Sequence, residues 1–131
     1  MRSTRSHLAP ALLAVTLAAC GGSDSDDAQK WIDRADAKEA EARAAGVASP
    51  CADVSQCAVL GFLDPRASCS TWTYKPYSLV SSTAAAASAA AHEQNALAAE
   101  ALMRQSDGHT VCPASVATPP ALTCVANACG P

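Results

Sequence analysis

The chain has 131 residues, with nine Lys and Arg against twelve Asp and Glu and a net charge of −3. That length admits one modest domain and excludes a two-domain enzyme built around a deep cleft. The acidic balance excludes a basic nucleic-acid-binding surface.

Half of the residues count as hydrophobic, but 32 of the 131 are Ala, which buries little area. From residue 20 onward, Ile, Leu, Val, Met, Phe, Trp and Tyr together number only 20. Burial alone is therefore a weak source of stability for this chain.

The N-terminus has the three parts of an export signal. Met1 to His7 carries Arg2 and Arg5 without an acid, Leu8 to Leu17 is apolar, and Ala18-Ala19 supplies small residues for cleavage. The apolar stretch is far shorter than the ~20 residues a spanning helix needs. Residues 1–19 are therefore predicted to be a signal peptide rather than a permanent transmembrane anchor.

Leu17-Ala18-Ala19-Cys20 resembles the lipobox of bacterial lipoproteins, with the basic start, the apolar run and the Cys in register. The resemblance covers residues 1–20 and the short Gly-Gly-Ser-Asp stretch that follows. It implies a thioether-linked diacylglycerol on Cys20, cleavage before it, and an acyl chain on the new amino terminus. The covalent lipid is the one non-protein group implied; no other cofactor is expected. Each buried methylene contributes about 0.8 kcal/mol, so two or three chains hold firmly where one does not. In the lipoprotein pattern Asp after the Cys favours retention in the inner membrane; Gly21 here implies the outer membrane. The expected location is the cell envelope, with the lipid bilayer as first partner.

Residues 20–27 form the lipidated Cys and a small, polar, acidic stretch predicted to be a flexible tether. Residues 28–46 are rich in Ala, Glu, Lys and Arg, all good helix formers, and Gly46 offers a stop. The apolar stripe is thin, with only Trp31 and Ile32 of any size. The expectation is a solvated spacer helix, with a partner-binding helix anchored by Trp31 as the rival.

Cys20 aside, six cysteines remain: Cys51, Cys57, Cys69, Cys112, Cys124 and Cys129. An even number in an exported chain predicts a disulfide framework for residues 47–131. The close pairs are spaced C-x5-C and C-x4-C, and neither His92 nor His109 lies at ligand spacing from a cysteine, so no metal site is expected. No redox C-x-x-C is present. Six cysteines allow fifteen pairings; a nested set, Cys69–Cys112, Cys57–Cys124 and Cys51–Cys129, is the expectation. Its innermost bond would tie together the ends of a central helix.

That helix is predicted from Ala84 to Arg104, a run without Gly or Pro that follows the potential N-cap residues Ser81-Ser82-Thr83. Cys57 to Leu63 reads as a buried strand, and Asp64-Pro65 as a turn. Thr71 to Tyr74 alternates with period two, and Pro76 restricts that strand to an edge or ends it. Leu122 to Val125 suggests a terminal strand with a turn near Asn127. The fold class follows: a disulfide-stapled α+β domain, one Ala-rich helix on a short antiparallel sheet, preceded by the spacer helix.

Motifs for catalysis are sparse. There is no Gly-x-Ser-x-Gly elbow, phosphate loop or HExxH, and His92 is the one candidate base. No enzymatic activity is expected. Binding has one place to look: Trp72, Tyr74, Lys75 and Tyr77, three aromatics and a cation in six residues. Trp and Tyr serve as interface anchors and sugar-stacking platforms, but a chain this poor in large side chains also needs them in its core. The sequence therefore implies a non-enzymatic envelope protein that binds a protein or glycan, with inhibition of a periplasmic or extracellular hydrolase through the loop from Pro113 to Ala121 as the alternative.

Overall fold

The structure is a computed structural model that describes residues 24–106, 108–113 and 117–131. The signal peptide, Cys20, the first part of the tether and part of the Pro113–Ala121 loop lie outside the described residues. The fold is α+β and stapled by three disulfides. Helix α1 spans Asp24–Ala45 and α2 Ala84–Gln105. Strands β1 (Cys57–Leu63) and β2 (Trp72–Ser78) form an antiparallel pair, and β3 (Thr123–Val125) and β4 (Ala128–Gly130) a small second one. Among the described residues no helix is long and apolar enough to cross a membrane.

The first helix departs from the expected spacer. It begins at Asp24, within the stretch read as tether, and Asp26 and Asp27 in its first turn suit the positive end of the helix dipole. It also packs from Ala28 to Ala42 instead of standing apart in solvent. Its thin stripe suffices because the opposite face, on α2, is equally small. Ala35 and Ala42 from α1 and Ala87, Ala98 and Ala101 from α2 are completely buried, so the two backbones approach closely. Arg104 pairs with Asp27 at 3.0 Å at one end, Lys38 with Glu93 at 3.0 Å in the middle. At the other end Thr83 Oγ1 donates to the Ala45 carbonyl at 2.6 Å. Thr83 occupies the N-cap position of α2 but spends its hydroxyl on α1.

The larger side chains sit between this helix pair and the sheet. Leu60, Phe62 and Tyr77 pack with Ala42, Ala87, Ala90 and Ala91, while Leu63 packs with Ala35, Leu97 and Ala98. Gly46 permits the closest approach. A Cβ there would stand 2.6 Å from Leu60 Cδ1 and 3.0 Å from the Ala42 carbonyl oxygen.

Strand β1 has β2 on one edge, reached for example by Asp64 N–H donating to Thr71 O at 2.8 Å just beyond it. Backbone groups of neighbouring residues point to opposite edges, so Leu63 and Gly61 face away from β2, toward α2. There Asn95 accepts from Leu63 N–H at 2.8 Å through Oδ1 and donates to Gly61 O at 2.9 Å through Nδ2. Gln94, fully buried, donates to Leu63 O at 2.8 Å. Two amide side chains thus stand in for a third strand. Asn95→Ala strips both a donor and an acceptor of partners, and is expected to lower stability by about 1–3 kcal/mol in chemical denaturation.

Strand β2 runs through Pro76 to Ser78 and does not end at it. By the same alternation the Pro76 nitrogen sits on the outer edge, where no ladder bond is lost. The outer position two residues on confirms the parity: Ser78 N–H donates to Val47 O at 2.8 Å.

Cys69–Cys112 forms as expected, but the other two bonds are Cys51–Cys124 and Cys57–Cys129, not the nested set. The reason lies in the terminal hairpin. Ala126 and Asn127 both adopt positive φ, 49° and 63°, the geometry of a tight two-residue turn. The chain reverses between Cys124 and Cys129, placing them directly across from each other. That reversal brings the cysteines to Cys51 and Cys57 in sequence order. Asn127 also accepts a hydrogen bond from Cys51 N–H through its side chain at 3.2 Å.

Candidate functional site

The four residues singled out for binding divide between the two faces of the β1–β2 sheet. Side chains alternate along a strand, and Tyr77 and Lys75 share the face toward the helices. Tyr77 is a core residue, 6% exposed. The Lys75 ammonium donates to the Arg43 carbonyl in the last turn of α1, where a cation also meets the negative end of the helix dipole. Thr73, on this same face, accepts from Arg43 Nη2 at 3.0 Å, and the Arg43 guanidinium lies 4.4 Å from the Phe62 ring centroid. Lys75 and Tyr77 therefore hold the sheet to α1 and are not presented to a partner.

Trp72 and Tyr74 share the opposite face with Gly61, which is paired to Tyr74 in register. A Cβ on Gly61 would lie 3.4 Å from Tyr74 Cε1 and 3.5 Å from Trp72 Cε3. Both rings therefore fold over the bare glycine, whose missing side chain is what lets them lie down on the strand. Trp72 is 37% exposed and Tyr74 half-buried. The outcome is a pair of partly exposed aromatic rings on the solvent side of the sheet. Two aromatics at i and i+2 are visible in the sequence; Gly61 as the seat between them required the register.

Two concavities lie elsewhere. A half-open groove of about 470 Å³ runs between the Arg66–Ser70 segment and the last turn of α2, floored in part by Leu102, Met103 and the Cys69–Cys112 bond. Arg66 lines it but is engaged from α1, donating to Asp36 from both terminal nitrogens. The bond holds the Asp36 carboxyl below the usual carboxylate range. A smaller recess of about 120 Å³ beside Gly61 and Val59 contains His92, Ser88 and Asn95. His92 is exposed, Asn95 is committed to β1, and among the described residues no hydrogen bond joins His92 to Ser88. Nothing there assembles a nucleophile, base and orienting group.

At the far end of the helix pair Trp31 is flanked by two guanidiniums, Arg34 at 4.7 Å and Arg104 at 4.8 Å from its ring centroid. Its role is to close the end of the α1–α2 interface beside Leu102, Ala99 and the buried Leu97. Comparison with protein-family models, with curated proteins and with solved structures returns no match to this chain.

Proposed function

We propose that the chain is an envelope lipoprotein, held in the outer membrane through an acylated Cys20, whose disulfide-clamped domain is a non-enzymatic module for binding a protein or glycan. The anchor rests on the lipobox resemblance of Leu17 to Cys20. The binding surface is the outer face of the β1–β2 sheet, and the observation that carries it is the pair of rings, Trp72 and Tyr74, laid over Gly61. A pair of partly exposed rings outside the core clusters offers the stacking that sugar rings or an apolar protein side chain accept. Lys75 and Tyr77 support this face from beneath.

Trp72→Ala and Tyr74→Ala are expected to leave the melting temperature within a few degrees of the parent while abolishing binding to envelope polysaccharide or to the partner protein. Isothermal titration calorimetry and thermal melts measured on the same samples check this. Tyr77→Ala should do the reverse, lowering the melting temperature. Equal loss of stability in all three would assign the aromatics to the core and remove the binding face. Mass spectrometry of the mature N-terminus tests the anchor separately; an unmodified Cys20 would remove it.

A further inference from the structure

The two disulfides at the β3–β4 end of the molecule lie side by side. The sulfurs of Cys51, Cys57 and Cys129 are all within 4.8 Å of one another, and Cys124 is bonded to the first of them. Burial differs sharply within the group. Cys51, Cys57 and Cys129 are 5%, 8% and 5% exposed, whereas Cys124 is only half-buried. The inner bond, Cys57–Cys129, is therefore shielded at both ends, and the outer bond, Cys51–Cys124, is open to solvent at one.

We propose that these four cysteines form a thiol-exchange site, in which a dithiol reductant attacks at Cys124 and the buried Cys51 thiolate then opens the inner bond. One thiolate of the dithiol bonds to Cys124 Sγ, the Cys51–Cys124 bond breaks, and its electron pair leaves on Cys51 Sγ. The second thiolate of the reductant closes on the first, forming its own disulfide and releasing Cys124 as a thiolate. The dithiol has lost two electrons and the protein has gained them. Cys51 thiolate, with both sulfurs of the inner bond within 4.8 Å, attacks one and expels the other. This last step is redox-neutral, and the thiolates formed take up protons from water.

Attack on Cys57 gives a Cys51–Cys57 bond and frees the β3–β4 hairpin from covalent ties. Attack on Cys129 keeps the hairpin tied through its second strand. Either way Cys51 ends up oxidised and the inner bond has been opened without a reductant touching it. The site is independent of the membrane anchor and of the Trp72 face, so it stands or falls separately from both.

The test is limiting dithiothreitol on the oxidised protein, rapid alkylation with N-ethylmaleimide, and peptide mapping. Molecules that have lost one of the two bonds are expected to carry label on Cys124 together with Cys57 or Cys129, with Cys51 still in a disulfide. Label on Cys51 and Cys124 with Cys57–Cys129 intact would overturn the proposal, as would label on Cys57 and Cys129 with Cys51–Cys124 intact. A second measurement uses the double variant Cys51→Ser, Cys124→Ser. Reduction of its Cys57–Cys129 bond should be at least tenfold slower than in the parent; an unchanged rate would overturn the relay.

Discussion

Replacing Cys51 and Cys124 by alanine, or Cys57 and Cys129, is expected to cost about 3 kcal/mol, whereas removing both bonds together should cost about 7 kcal/mol. The excess follows from geometry. The two bonds span 73 and 72 residues, so they close nearly the same loop. With either one in place, the other closes only a loop of about eleven residues, made of the short segments between Cys51 and Cys57 and between Cys124 and Cys129, and the chain-entropy relation gives it about 3 kcal/mol. Only when both are gone does the larger loop open, about 30 residues long because the remaining Cys69–Cys112 bond short-circuits the rest, adding about 4 kcal/mol more. A total of about 7 kcal/mol is comparable to the whole stability of a small domain. Denaturant unfolding of the two double variants and the quadruple variant checks the pattern, and strict additivity would contradict it.

The second large effect is at Phe62. Its ring is 1% exposed, packs with Leu60, Tyr77, Ala42 and the Ala87–Ala91 stretch of α2, and lies under the Arg43 guanidinium. The surrounding residues are mostly alanines, whose side chains have no rotamers with which to refill the space. Phe62→Ala is therefore expected to fall at the upper end of the range for such changes, about 3–5 kcal/mol. A neighbouring Leu or Met swinging inward would ordinarily soften such a loss, and here none is adjacent on the helix side. Urea denaturation checks the magnitude. A loss below about 1 kcal/mol, outside that range, would mean that the helix pair collapses onto the vacancy.

Much of this fold was legible in the residues. The strand Cys57–Leu63, the helix from Ala84 and the turn at Asn127 follow from apolar runs, from the lack of Gly and Pro, and from turn-forming residues. The role of α1 was not legible, because a stripe of alanines around one Trp and one Ile looks too thin to bury. Its sufficiency depends on the partner being equally small, which is a property of two helices and not of one. The swapped disulfide partners have the same origin: the number of cysteines fixes that bonds form, while the hairpin at Ala126-Asn127 decides which. For the candidate site, Trp72, Tyr74, Lys75 and Tyr77 were legible as one aromatic cluster, and their division by face followed only from β2 continuing through Pro76. Which face pointed outward depended on α1 lying against the other.

Both long edges of the β1–β2 pair are blunted. Asn95 and Gln94 occupy the groups on one side at Gly61 and Leu63. On the other, Pro76 offers no donor and Ser78 spends its own on Val47. A two-stranded ribbon is ordinarily an open template for recruiting further chains into fibrils. Here a neighbouring copy would find that template interrupted, which disfavours zipping of the chain to its own kind.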